Sequence, residues 1–230
     1  MPTSFLCGIH LPGTVDKAAA ARRLGGCLPV MNSHGLEPLD FAEAAWRDES
    51  PRLFGGTSLI HRGFASRTGD PLWGAGFMIV PAPDAAATVI TMMTPGDAAG
   101  DPDETWHWLT ALSEDLCDAI EADLGLINGF TIRRDGSGVG STPAGPDVAP
   151  GHPPRVLLPW MWWGPSRLAE NEIVDGLRPL AEAAFRSSPS PRGGWVLQAH
   201  KDYSATEPKR LLAAYAANFH VTPPKWYAVK

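Results

Sequence analysis

Lysine and cysteine are scarce in this chain of 230 residues, and long apolar runs are absent. Each shortage removes a class of function. Five lysines leave Lys+Arg at 19 against 25 Asp+Glu, a net charge of −6. Binding to nucleic acid calls for a basic patch or stripe, so no nucleic-acid partner is expected. The three cysteines, Cys7, Cys27 and Cys117, are odd in number and lack framework spacing. No disulfide scaffold is expected, and a reducing cytoplasmic setting is. No window reaches the ~18 consecutive apolar residues of a membrane span. Residues 1–10 lack the basic start of a signal peptide and read as a first strand, so no membrane partner is expected. The richness in alanine, glycine, proline and arginine suits a bacterial source.

Several motifs are missing too. There is no G-x-x-x-x-G-K-[ST], no G-x-S-x-G and no H-E-x-x-H, which argues against P-loop, α/β-hydrolase and zincin chemistry. The glycine run Gly136–Gly140 follows a strand but leads into a proline-rich loop. It therefore lacks the helix N-terminus that would face a phosphate. Cys7 and His10 suggest zinc, yet an offset of three on a strand sends them to opposite faces. Neither a metal nor another cofactor is expected.

What the chain does have is 44% hydrophobic residues, enough for a sizeable core. Three segments run from apolar strand through a Pro/Gly turn to a helix: Phe5–Leu11 with a helix from Thr14, Thr88–Met93 with a helix from Pro102, and Val156–Trp163 with a helix from Ser166. Asp101-Pro102-Asp103-Glu104 is a strong helix start. Trp106, Leu109, Leu112, Leu116 and Ile120 then form one apolar stripe that Gly125 is expected to stop. The Ser166 helix should break at Pro179 and resume to about Arg186. A last helix follows Thr206-Glu207-Pro208, and Gly74–Val80 should form a hairpin with Thr88–Met93. The expected fold is α+β, a single domain over residues 1–230. Its mixed sheet would carry helices mainly on one face, with two related βαβ halves or split β-α-β units as one arrangement. Glycine and proline fill half of residues 135–154, which read as a loop or a sub-boundary.

Two regions point to function. Three of nine tryptophans, Trp160, Trp162 and Trp163, lie within four residues. Alternation sends Trp160 and Trp162 to one face and Trp163 to the other, so they either line a pocket for an aromatic or cationic ligand or bury both sides of a central strand. A strand-end cluster of His200, Asp202 and Tyr203 would lie beside them if the two strands were adjacent and parallel. His200 would then act as general acid or base with Tyr203 or Asp202 as partner. His61 and Arg62, at another strand end, could hold an anion. The second region is residues 101–125, which carry eight acids and no lysine or arginine. Glu114, Asp118 and Glu121 fall opposite the apolar stripe and suit a basic protein partner. Two readings follow. One is a cofactor-independent small-molecule enzyme or ligand-binding protein with a Trp-lined pocket, catalysis being left open. The other is a non-catalytic interaction protein of the immunity or inhibitor type, using the acidic helix.

Overall fold

The computed structural model describes residues 4–12, 26–38, 60–66, 76–81, 87–95, 99–132, 138–139, 147–149, 152–169 and 173–226. In chain order these hold β1 (Ser4–Pro12), a helix α1 over 26–33, β2 (Leu36–Pro38), β3 (Ile60–Ser66), β4 (Gly76–Pro81) and β5 (Ala87–Pro95). Then come α2 (Pro102–Ala119), β6 (Leu124–Ile132), β7 (Gly138–Val139), β8 (Val156–Leu157) and β9 (Trp160–Trp163). The chain continues through α3 (Pro165–Ala169), α4 (Ile173–Leu177), a 3₁₀ turn (Arg178–Glu182), β10 (Arg186–Pro189), β11 (Trp195–Gln198), α5 (Lys209–Phe219) and β12 (Lys225–Trp226). The helix expected from Thr14 lies outside the described residues, as do most of 135–151.

The fold is α+β, as the sequence indicates. Its main sheet runs β10-β11-β9-β6-β1-β5-β4-β3-β2, with β7 also on β6. Two features differ from expectation. Every described pairing in this sheet is antiparallel, and the parallel pair β8–β12 stands apart from it. Helices also cover both faces: α1 and α2 pack on one, α3 to α5 on the other. The reason is visible in β9. All four of its residues are buried, with Trp160 and Trp162 in the α2-side core and Met161 and Trp163 in the α5-side core. A strand apolar on both sides requires cover on both.

The βαβ expectation takes its split form. β5 and β6 are each antiparallel to β1, which lies between them, so they run in the same direction with α2 as the connection. In the same way β9 and β10 flank β11 and are joined through α3 and α4. The expected hairpin of β4 with β5 is present. Pro179 falls within the 3₁₀ turn, and Arg186 belongs to β10, not to a helix.

In α2, Asp101 caps the start by accepting from the Asp103 and Glu104 amides, each at 2.8 Å. Such a cap contributes ~1 kcal/mol. Trp106, Leu109, Leu112 and Leu116 are fully buried, each worth ~1.5–3 kcal/mol, so packing outweighs the cap. The helix ends at Ala119, before Gly125, which sits inside β6. Glu121 takes the left-handed conformation at φ 51°, and the Ala122 amide donates to the Cys117 carbonyl at 3.0 Å. This is a Schellman ending with glutamate where glycine is usual.

Candidate functional site

The strand-end cluster does not assemble as a unit. β11 is adjacent to β9 but antiparallel, with Trp195 opposite Trp163 and Gln198 opposite Trp160. The condition of adjacent parallel strands fails, and His200 lies beyond the Trp160 end, away from Trp163. The His200 ring bonds the Thr206 carbonyl oxygen at 3.1 Å and meets Trp226 edge-on. Asp202 pairs with His107 at 3.0 Å, both about half exposed. Tyr203 turns inward against Phe5 and Trp106, at ring distances of 5.1 and 5.4 Å. Desolvation pushes its hydroxyl up to about 12, with the Gly129 backbone pulling weakly the other way. Each of the three side chains therefore has its own separate surroundings.

Trp160, Trp162 and Trp163 are core residues, each at most 1% exposed. The indole N–H groups of Trp162 and Trp163 have no acceptor among the described residues. His61 and Arg62 are paired through β3 with Met78 and Phe77 of β4, but their side chains lie outside the described residues. Cys7 and His10 go to opposite faces of β1. Cys7 packs in the α2-side core and contacts Ser113 at 3.3 Å, whereas His10 lies by Arg167 and Asp123.

The acidic helix is partly answered by the chain itself. Both Glu114 oxygens accept from Arg186 of β10, at 2.7 and 2.9 Å. Asp115 pairs with His34 at 2.7 Å. The Ser190 hydroxyl donates to Asp118 at 3.0 Å and accepts from the Gly194 amide at 3.0 Å. This fastens the β10–β11 turn onto the end of α2. Burial raises the Asp118 pKa, the Ser190 hydrogen bond opposes the rise, Glu114 adds to it, and Arg192 lowers it again.

At this junction a cleft of about 440 Å³ opens among Asp118, Glu121, Trp162, Pro165, Ser166 and Arg192. It brings Trp162, expected to bind ligand, together with Asp118 and Glu121, expected to bind a partner. Glu114 and the other two tryptophans do not line it. The Trp162 ring edge runs beneath the β10–β11 turn: a Cβ on Gly194 would lie 2.6 Å from Nε1. No basic residue occupies the last turn of α2, so its negative dipole end adds to the two carboxylates. A cation with hydrogen-bond donors suits this wall.

Beneath it, Arg167 donates to Asp123 through Nε at 3.0 Å and Nη2 at 2.5 Å. Nη2 also donates to the Val148 carbonyl at 3.0 Å. The Asp123 amide in turn donates to the His10 carbonyl at 2.7 Å, and the Gly164 amide to the Asp123 carbonyl at 2.8 Å. Sequence reasoning passed over Arg167, Arg192, Ser166 and Ser190. Ser166 at an expected helix start and Arg192 in a stretch rich in serine, proline and glycine were the only signals, and neither identifies a partner 43 to 72 residues away.

Among the described residues no helix is long and apolar enough to cross a membrane. No protein-family model matches the chain, and no curated protein sequence does. Among solved structures, the Pseudomonas aeruginosa T6SS protein PA0821 aligns with a TM-score of 0.49 at 14% identity, covering 94% of this chain and 72% of that one.

Proposed function

We propose that this is a binding protein that recognises a cationic group in the cleft at the C-terminal end of α2. One observation carries the reading: Asp118 and Glu121 flank a cleft at the negative end of a helix whose last turn has no basic residue. A cation there offsets the helix dipole, the two carboxylates and the partial desolvation of Asp118 together. The separate partners of His200, Asp202 and Tyr203 favour binding over acid–base catalysis. The alternative, a basic protein docking along α2, retains Asp115, Asp118 and Glu121 but loses Glu114, whose two oxygens are held by Arg186.

The test is calorimetric titration with phenethylamine, a monocation with an apolar body. The wild type should bind it, with affinity falling as salt rises. Asp118→Asn with Glu121→Gln should weaken binding at least tenfold while the protein stays folded by circular dichroism. Absence of binding to the wild type, or equal binding by the double variant, would overturn the reading.

A further inference from the structure

The buried Arg167–Asp123 pair also holds a stretch of chain that belongs to no strand of the main sheet. Arg167 Nη2 donates to the Val148 carbonyl at 3.0 Å and Nη1 to the Ala149 carbonyl at 3.4 Å. Val148 is thereby fixed in the α5-side core, and the Arg155 amide closes on the Asp147 carbonyl at 2.8 Å. His10 stands beside this grip. Its side chain is 3% exposed, and Nε2 has no partner among the described residues. Its cross-strand partners, Val89 of β5 and Leu124 of β6, are apolar. The charged groups that act on it are Arg167 of α3 and Asp123 ahead of β6, while Tyr215 of α5 lies within reach of Arg167. Cys7, on its own strand, faces the other core. Asp147, half-buried, and His152, exposed, lie in or near the held stretch. A proton on His10 would set two cations against one carboxylate in a site nearly closed to water. Like charges repel far more strongly there than in solvent. Water can enter without breaking the sheet if residues 147–149 lift.

We infer that His10 and Arg167 form an acid-operated latch: while the imidazole is neutral Arg167 holds residues 147–149 on the α5-side core, and protonation releases them with the sheet and α2 still folded. This does not depend on the cation-binding reading above. In the closed form desolvation first, then the Arg167 charge, lowers the His10 pKa from 6.5 to about 4, with Asp123 opposing. Lifting the segment hydrates the ring and restores its ordinary proton affinity, so proton uptake favours the open form. The latch is therefore fully held above pH 6.5 and weakens as pH falls toward 4.

Hydrogen exchange on the full chain, read residue by residue and corrected for intrinsic rates, tests this. Between pH 7 and about pH 4.5 the Arg155 amide of the wild type should open at least tenfold more often. The amides of Leu109 to Leu116 in α2 should keep their protection. In His10→Gln, which keeps a neutral polar side chain, acid should leave the Arg155 amide unchanged, with far-UV circular dichroism confirming the fold. If Arg155 and α2 lose protection together in the wild type, acid unfolds the whole molecule and the latch is overturned. That comparison needs no variant. Unchanged protection of Arg155 in the wild type would overturn it too, and so would an equal acid response in His10→Gln, which would assign the effect to Asp147 or His152.

Discussion

Three side chains at the junction of β1, β6 and α3 show how local identity acquires meaning through its surroundings. Arg167 is 1% exposed and Asp123 6%. Removing one partner of a buried pair strands the other charge, at a cost of ~3–5 kcal/mol. Arg167→Met should therefore lower stability by about that much, measured by urea denaturation. A loss below ~1 kcal/mol would show that the pair is replaceable by packing alone. His10 lies beside them, and desolvation first, then the Arg167 charge, lowers its pKa from 6.5 to about 4. Its folded-state pKa is depressed, so the unfolded chain binds the proton first. Stability should be full above pH 6.5 and decline as pH falls toward 4, by ~3 kcal/mol in all. His10→Gln should flatten that part of the pH profile. None of this could be read from residues 10, 123 and 167 separately, since their spacing follows no local period.

At the scale of the element, α2 is the best test of what local pattern conveys. Its apolar stripe, N-cap and start agree with the sequence reading, because each is encoded within one turn. Its end does not agree. Glu121, not glycine, occupies the left-handed position, which costs a non-glycine residue ~1–2 kcal/mol. Glu121→Gly should raise stability by ~1 kcal/mol and weaken cation binding in the cleft, a trade visible by pairing thermal melts with titration. No gain in stability would show that the glutamate side chain compensates the strain. Gly125, which resembles a helix stop, serves the sheet instead, since a Cβ there would lie 2.6 Å from Cys117 Sγ. Gly164 is tighter, with the Ala122 carbonyl oxygen 2.0 Å from a Cβ. Gly164→Ala should destabilise by ~1–3 kcal/mol through overpacking, and by more than Gly125→Ala, whose nearest neighbour is a side-chain atom at 2.6 Å and not backbone at 2.0 Å. The strand β10 escaped the sequence reading for a related reason. Its Ser-Ser-Pro composition reads as a break, yet proline is tolerated on an edge strand, where β10 lies.

Across the whole molecule, charge is where sequence and structure diverge most. Residues 101–125 hold eight acids and no lysine or arginine, so the segment looks like an unanswered surface. Folding brings Arg186 onto Glu114 and Ser190 and Arg192 to Asp118. The C-terminal half thus covers part of the acidity of the helix. A double-mutant cycle on Glu114→Ala and Arg186→Ala should give a coupling of ~1 kcal/mol, since the pair is bidentate but partly exposed. Zero coupling would mean that the turn is held by Ser190 and packing alone.

The α+β class and the amphipathic start and stripe of α2 were legible along the chain, and so was the apolar character of both faces of the tryptophan strand, though not whether core or pocket would cover them, because periods of two and of about 3.6 residues reveal only which faces are apolar. The direction of β11 against β9, the separation of His200 from Trp163 and the meeting of Asp118, Glu121, Trp162 and Arg192 were decided only in three dimensions. Those outcomes depend on which distant strands pair and which loops close, and a local pattern holds no information about partners many tens of residues away.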